Sequence, residues 1–269
     1  IHGDWSAFLW GKVIKKTTKA NTLTGSIHGA LKRGKFWSFV YQKILSQYTF
    51  IYCTGKNEYN QLHKLIKSSA PIYWQPSGIE SYFFDESKHG KSIDVVHIGS
   101  FLPVKNHKFI LEVAAKLPGV TFSLIGDGPI KKEIEEICKC RKIKNVDFHG
   151  NRKKEEIPSI LQRSKIFLLC SFSEGTPTAL LEAMASGNIL ITSSSNDFSD
   201  FLKHKENAFI FDEFDIEEWV ETIRSSLKNF TNYERVLIKN KEISKKFSWE
   251  KTARKITQLM STYNDREKI

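Results

Sequence analysis

The 269-residue chain is long enough for one large α/β domain or two smaller ones, and 40% apolar with 26% charged residues is an ordinary globular composition. No apolar run reaches membrane-spanning length, and no stretch has the basic start and small-residue cleavage site of a signal peptide. The net charge of +11 is uneven: residues 1–88 hold 12 Lys/Arg against 5 Asp/Glu. A basic front end suits an anionic partner (nucleic acid, a phospholipid surface, a phosphorylated substrate), or it is a lysine-rich solvated surface. Zinc-finger spacing, the RNP aromatic pattern and a GXXG clamp are all missing, so nucleic acid is not expected as a partner. Cys53, Cys138, Cys140 and Cys170 form neither a zinc pattern nor a disulfide frame, and a reducing, cytoplasmic compartment is the simplest expectation.

In chain order, DWSAFLWGKVIKK reads as a helix capped by Asp4, with Trp5, Phe8, Leu9 and Val13 on one face. NTLTGSIHG reads as a strand, KFWSFVYQKILSQ as a helix, TFIYCTG as a strand, KNEYNQLHKLIK as a helix and PIYWQPSGI as a strand. Polar DESKHGKS (85–92) is the expected linker. Regular alternation follows: strands IDVVHIG, VTFSLIG, NVDFHG, KIFLLCSF, NILITS and NAFIFD, interleaved with amphipathic helices and closed by helices from Asp215 onward. Such alternation predicts a parallel sheet covered on both faces, with right-handed crossovers, in a doubly wound Rossmann-like domain.

The most informative stretch is SFSEGTPTALLEAMASG, residues 171–187. It reads as a strand end, a tight loop and a helix with Thr176 as N-cap, Pro177 in the first turn and Gly187 as the left-handed terminator. A helix start at the C-terminal edge of a parallel sheet offers unpaired N–H groups and a partial positive charge, which suits a phosphate. Glu174 precedes those donors and Glu182 lies inside the helix, so two carboxylates flank one anion-binding helix start. GDGP (126–129) lacks the full dinucleotide fingerprint and reads as a turn.

The EGTPTALLEAMASG string resembles the signature of the glycosyltransferase group 1 (family 4 type) enzymes, nearly residue for residue. VVHIGSFLPVKNHKFILEVAAKLP, TFSLIGDGP, VDFHGN and the closing FSWEKTARKI are similar to further segments of that family, and the resemblance runs from about His28 to Lys255. It implies an α/β GT-B fold of two Rossmann-like domains: an incomplete N-terminal one at 1–88, a nucleotide-sugar-binding one at 89–250, and a final helix at 251–269 packing back on the first. The family's opening strands are not matched, and the abrupt start at Ile1 reads as a cut or processed end.

The same resemblance implies the site. Glu174 would contact hydroxyls of the transferred sugar, Glu182 the ribose hydroxyls, and backbone N–H groups around Gly175, Thr176, Thr178 and Ala179 the diphosphate. Lys105 in PVKNH would neutralise the departing diphosphate, and His28 would touch the donor sugar; His2, in a similar I-H-G context, has no counterpart. Where the family often carries Arg after the glycine that ends the first strand, this chain has Ser100, leaving Lys108 or His107 as replacement cations. The implied reaction is retaining transfer of a sugar from a UDP- or GDP-linked donor to a saccharide or lipid-linked acceptor, in surface polysaccharide or glycan biosynthesis. It would proceed without a metal, at or near the inner face of the cytoplasmic membrane, with a possible peripheral contact to anionic lipid. A related fold with other chemistry, such as a sugar epimerase, and a catalytically silent sugar-nucleotide or polyanion binder are the alternatives.

Overall fold

Short apolar runs become parallel strands here because crossovers, most of them helical, return the chain to the same end of the sheet. The computed structural model describes residues 24–27, 35–46, 48–65, 71–85, 90–174, 177–194 and 200–266. The expected helix at DWSAFLWGKVIKK, His2, His28, Gly175 and Thr176 lie outside the described residues. The chain divides into two compact units: Ile1–Gly78 with Glu174–Thr176 and Trp249–Ile269, and Ile79–Ser173 with Pro177–Ser248.

In the first unit, β1 (Thr24–Ile27), β2 (Phe50–Cys53) and β3 (Ile72–Trp74) pair in parallel in that order, with Thr24 opposite Phe50 and Ile51 opposite Ile72. Helix α1 (Lys35–Leu45) links β1 to β2, and α2 (Lys56–Leu65) links β2 to β3. Tyr41, Leu45, Phe50, Ile51, Cys53 and Leu62 are buried, and Phe36 and Phe39 on α1 are exposed.

The second unit contains β4 (Ile93–Ile98), α3 (His107–Ala115), β5 (Phe122–Ile125), α4 (Lys131–Cys140), β6 (Val146–Phe148) and α5 (Ile157–Arg163). It continues with β7 (Ser164–Leu169), α6 (Thr178–Ala185), β8 (Ile189–Ser193), β9 (Phe209–Phe211), α7 (Ile216–Lys228) and α8 (Glu234–Ser244). Its all-parallel sheet runs β6-β5-β4-β7-β8-β9, the Rossmann order. Successive strand residues enter opposite cores. Val95, Ile166, Leu168 and Ile189 meet Phe109, Ile134 and Trp219 on one face; Val96, Phe167, Leu169 and Leu190 meet Leu161, Leu180 and Met184 on the other. Burial on both faces explains why these strands read as continuous apolar runs rather than alternating ones. Helix α7 begins where its sequence announces: the Asp215 carboxylate accepts the Glu217 and Glu218 N–H groups at 2.9 and 3.2 Å.

The boundary between units differs from the one expected at residues 88/89. Ile79 bridges to Ser248, and Ile79 and Phe83 are buried with Leu180 and Met184. The apolar residues ahead of the polar linker are therefore already part of the second core. The last helix, α9 (Trp249–Arg266), falls with the first unit. A Cβ on Gly78 would lie 2.7 Å from the Trp249 backbone and ring, and the buried Gln75 amide donates to Thr252 Oγ1 at 3.4 Å.

Candidate functional site

The strand order reverses between β4 and β7, whose register pairs Val95 with Ile166 and Val96 with Phe167. In open α/β sheets ligands bind in the crevice at such a switch point, outside the C-terminal ends of the two strands. Ser100 and Lys105 ride on the loop after β4; Glu174, Thr178, Ala179 and Glu182 ride on the loop after β7 and on α6. The topology therefore juxtaposes segments some 70 residues apart, and a hydrogen bond fixes them: the Phe172 N–H donates to Val104 O at 2.8 Å.

Backbone contacts hold the loop after β4 from its other side. Gly99 N–H donates to Ile125 O at 3.0 Å, Phe101 N–H to Asp127 O at 2.9 Å, and Gly126 N–H to Gly150 O at 2.9 Å. Gly126 has φ +137°, and a Cβ there would sit 2.0 Å from Gly99 O; a Cβ on Gly128 would sit 2.5 Å from Phe101 O. GDGP is thus a turn of close backbone approach, as its sequence suggests. The loop ends in a 3-10 turn, Pro103–Lys105, and Asn106 at φ +54° redirects the chain into α3.

Beneath the loop lie two fully buried imidazoles. His97 Nδ1 is 2.9 Å from Leu168 O, so this nitrogen carries the proton and donates. His107 stacks on Phe101 with ring centroids 4.0 Å apart and meets His97 edge-to-face at 4.9 Å. Burial first, and the nearby Lys105 ammonium after it, hold His97 down at about 4 and His107 at about 3. Neither residue is a cation at neutral pH. Lys108 pairs with Glu133 at 2.6 Å. Neither neighbour suggested by the sequence thus provides a second positive charge beside exposed Ser100, and half-buried Lys105 is the charged side chain on this loop.

Helix α6 starts at Thr178 with Pro177 in the cap position and no side-chain cap hydrogen bond. This corrects the expected start one residue earlier, with Pro177 inside the first turn. The first turn, with half-buried Thr178 and Ala179, has the backbone N–H groups that suit an anion. Gly187 at φ +73° terminates the helix as its sequence predicts. Glu174 is half-buried in the preceding loop.

Glu182 lies on the second turn, and among the described residues no group donates a hydrogen bond to its carboxylate. Burial pushes this carboxyl up to about 7; the Lys154 ammonium pulls it down and the Glu80 carboxylate pushes it up. Lys154 Nζ is 3.0 Å from Glu80 Oε1. Glu80, Tyr82 and Lys154 were not singled out from sequence, because a lysine within NRKKEEI carries no mark that separates it from its solvated neighbours. Among the described residues no group of three or more His, Cys, Asp or Glu side chains is placed to hold a metal ion, and no helix is long and apolar enough to cross a membrane.

Comparison with known proteins agrees with this geometry. The profile of the family described as Glycosyl transferases group 1 matches residues 78–244. An uncharacterized glycosyltransferase of Methanocaldococcus jannaschii is 23% identical over 244 residues, covering 91% of this chain and 68% of the relative. An undecaprenol-linked-glycan α-1,4-N-acetyl-D-galactosaminyltransferase of Campylobacter jejuni is 29% identical over 172 residues, covering 59% of this chain and 46% of that protein. Among solved structures, Anabaena HepE in complex with UDP and glucose superposes with a TM-score of 0.83 at 15% identity, covering 96% of this chain and 76% of that one. The fold is that of the GT-B glycosyltransferases.

Proposed function

From a chain that belongs to the group 1 glycosyl transferases, we infer a transferase that moves a sugar from a nucleotide-diphosphate-sugar to a saccharide or lipid-linked acceptor with retention of configuration. The observation that carries the reading is the switch point between β4 and β7, where the Lys105 loop is bonded to the loop that enters helix α6. The diphosphate would lie against the first turn of α6, with Lys105 balancing the charge that develops as it leaves. Glu182 would accept hydrogen bonds from the ribose diol; among the described residues its carboxylate has no hydrogen-bond donor. Glu174 would address the sugar. The acceptor hydroxyl oxygen forms the new bond to the anomeric carbon, the bond from that carbon to the phosphate oxygen breaks, and the hydroxyl proton passes to the departing diphosphate. This assignment gives the charge-balancing work to a lysine and a helix start and requires no metal.

UDP in the HepE structure supports a uridine donor, and the C. jejuni relative, named for an undecaprenol-linked substrate, supports a lipid-linked acceptor. A basic first 88 residues are compatible with an anionic lipid surface beside such an acceptor. A second reading, a sugar-nucleotide binder with little or no turnover, is favoured by Ser100 together with neutral His107 and the Lys108–Glu133 pair. Titration of UDP and GDP, paired with an assay for transfer, separates the two. Under either reading Glu182→Ala weakens nucleotide binding by about 1.5–3 kcal/mol, the value of one or two hydrogen bonds to a charged group, and leaves the melting temperature unchanged. Parental affinity in that variant would remove the ribose assignment.

A further inference from the structure

Buried polar groups ordinarily have partners, because an imidazole taken out of water without them costs stability that an apolar ring does not. Under the loop after β4 that expectation fails. His97 and His107 are fully buried, and among the described residues His97 Nε2 and both nitrogens of His107 have no hydrogen-bond partner. A phenylalanine at position 97 would fill the place without this cost, so the imidazole calls for another reason.

The geometry supplies one. His97 Nδ1 donates to Leu168 O at 2.9 Å and ties the end of β4 to β7. The opposite edge of the ring faces the start of the loop: a Cβ on Gly99 would lie 3.1 Å from His97 Nε2 and 3.7 Å from Lys105 Cδ. The imidazole edge and the Lys105 stem therefore border one point above Gly99, and they can do so because that residue has no side chain. His107 extends this floor, edge-to-face with His97 at 4.9 Å and stacked on Phe101 at 4.0 Å. Beside Lys105 the loop is held again, by the Phe172 N–H on Val104 O at 2.8 Å. We propose that His97 is a positioning residue for Lys105: anchored on β7, it forms with His107 the floor that fixes the lysine's loop and so aims the ammonium at the departing diphosphate. This rests on the diphosphate reading of Lys105 given above.

The task suits a neutral ring. Burial keeps His97 uncharged at neutral pH, so the ring does not repel the ammonium above it. His97 is also too deep to touch a ligand, so its effect reaches the phosphates only through the loop and Lys105. Two residues that act through one contact are not additive.

The experiment is calorimetric titration of UDP and of GDP into the parent and each variant, with uridine and guanosine as ligands that lack the phosphates and thermal melts to verify folding. Lys105→Ala should lower affinity for the nucleotide that binds by about tenfold. His97→Phe should lower it about three- to tenfold, and the double variant should bind no more weakly than Lys105→Ala alone. His97→Asn, whose amide can donate from the place of Nδ1, should recover most of the loss. Gly99→Ala adds a methyl between the imidazole edge and the lysine stem, at a residue whose φ is not positive, and should imitate His97→Phe without removing a core ring. Nucleoside affinity should stay at the parental value throughout. Parental nucleotide affinity in both His97→Phe and Gly99→Ala would overturn the proposal. So would a loss in His97→Phe that persists in full on the Lys105→Ala background, or one that extends equally to the nucleoside, since either marks general loosening. Parental affinity in Lys105→Ala, or a parent that binds neither nucleotide, would instead remove the diphosphate reading, and the proposal with it.

Discussion

Two imidazoles beneath the Lys105 loop invite assignment as cations, but His97 and His107 are neutral because burial removes the water that would stabilise their charge. This has a consequence for stability. Both folded values, about 4 and about 3, lie below the roughly 6.5 of an exposed histidine. The neutral pair therefore costs nothing above that pH, and stability is lost as pH falls from about 6.5 toward 4. At pH 5 each imidazole should cost about 2 kcal/mol relative to neutral pH. His107→Leu keeps an apolar side chain against Phe101, so its melting temperature should fall less between pH 7.5 and pH 5 than the parent's. An unchanged difference would mean that other groups govern the acid sensitivity. Composition alone cannot identify these residues as buried; the signal is their place at the end of an apolar strand run and at the first position of a helix.

At the scale of elements, two helices of the same domain start in different ways. Helix α7 has Asp215 as a side-chain cap, acidic residues in its first turn and Lys228 in its last, so its start is legible directly from sequence. Asp215→Ala should lower stability by about 1 kcal/mol and the melting temperature by about 2–4 °C, with nucleotide affinity unaffected. Loss of binding in that variant would show that α7 communicates with the crevice. Helix α6 has Pro177 at its cap position, which makes no side-chain cap hydrogen bond, and the expected cap, Thr176, lies outside the described residues. An uncapped start is costly to an isolated helix and becomes useful where a ligand supplies the acceptors. The strands were legible for a simpler reason: β5, β7 and β8 are buried almost throughout, and only apolar runs tolerate burial on both faces.

For the whole molecule, a net charge of +11 acts on any polyanion, whereas the crevice acts on a diphosphate of defined shape. Binding to heparin should therefore fall steeply between about 0.05 and 0.3 M salt, with a slope set by the number of ions released, while UDP affinity should change by less than about threefold. Parallel losses for both ligands would identify charge, not the crevice, as the source of UDP binding.

The amino-acid sequence by itself determined the alternation of strands and helices, the doubly wound class, the glycine turns at 126–128 and the helix end at Gly187. Each follows from local periodicity or backbone freedom carried by neighbouring residues. Tertiary structure decided the rest. It placed β4 beside β7, so that Val104 and Phe172 share a hydrogen bond across 68 positions of sequence. It drew the 79–84 segment into the second core and buried His107. It also paired Lys154 with Glu80 across 74 positions of sequence. Proximity and desolvation act through space, and neither leaves a mark on the order of residues along the chain.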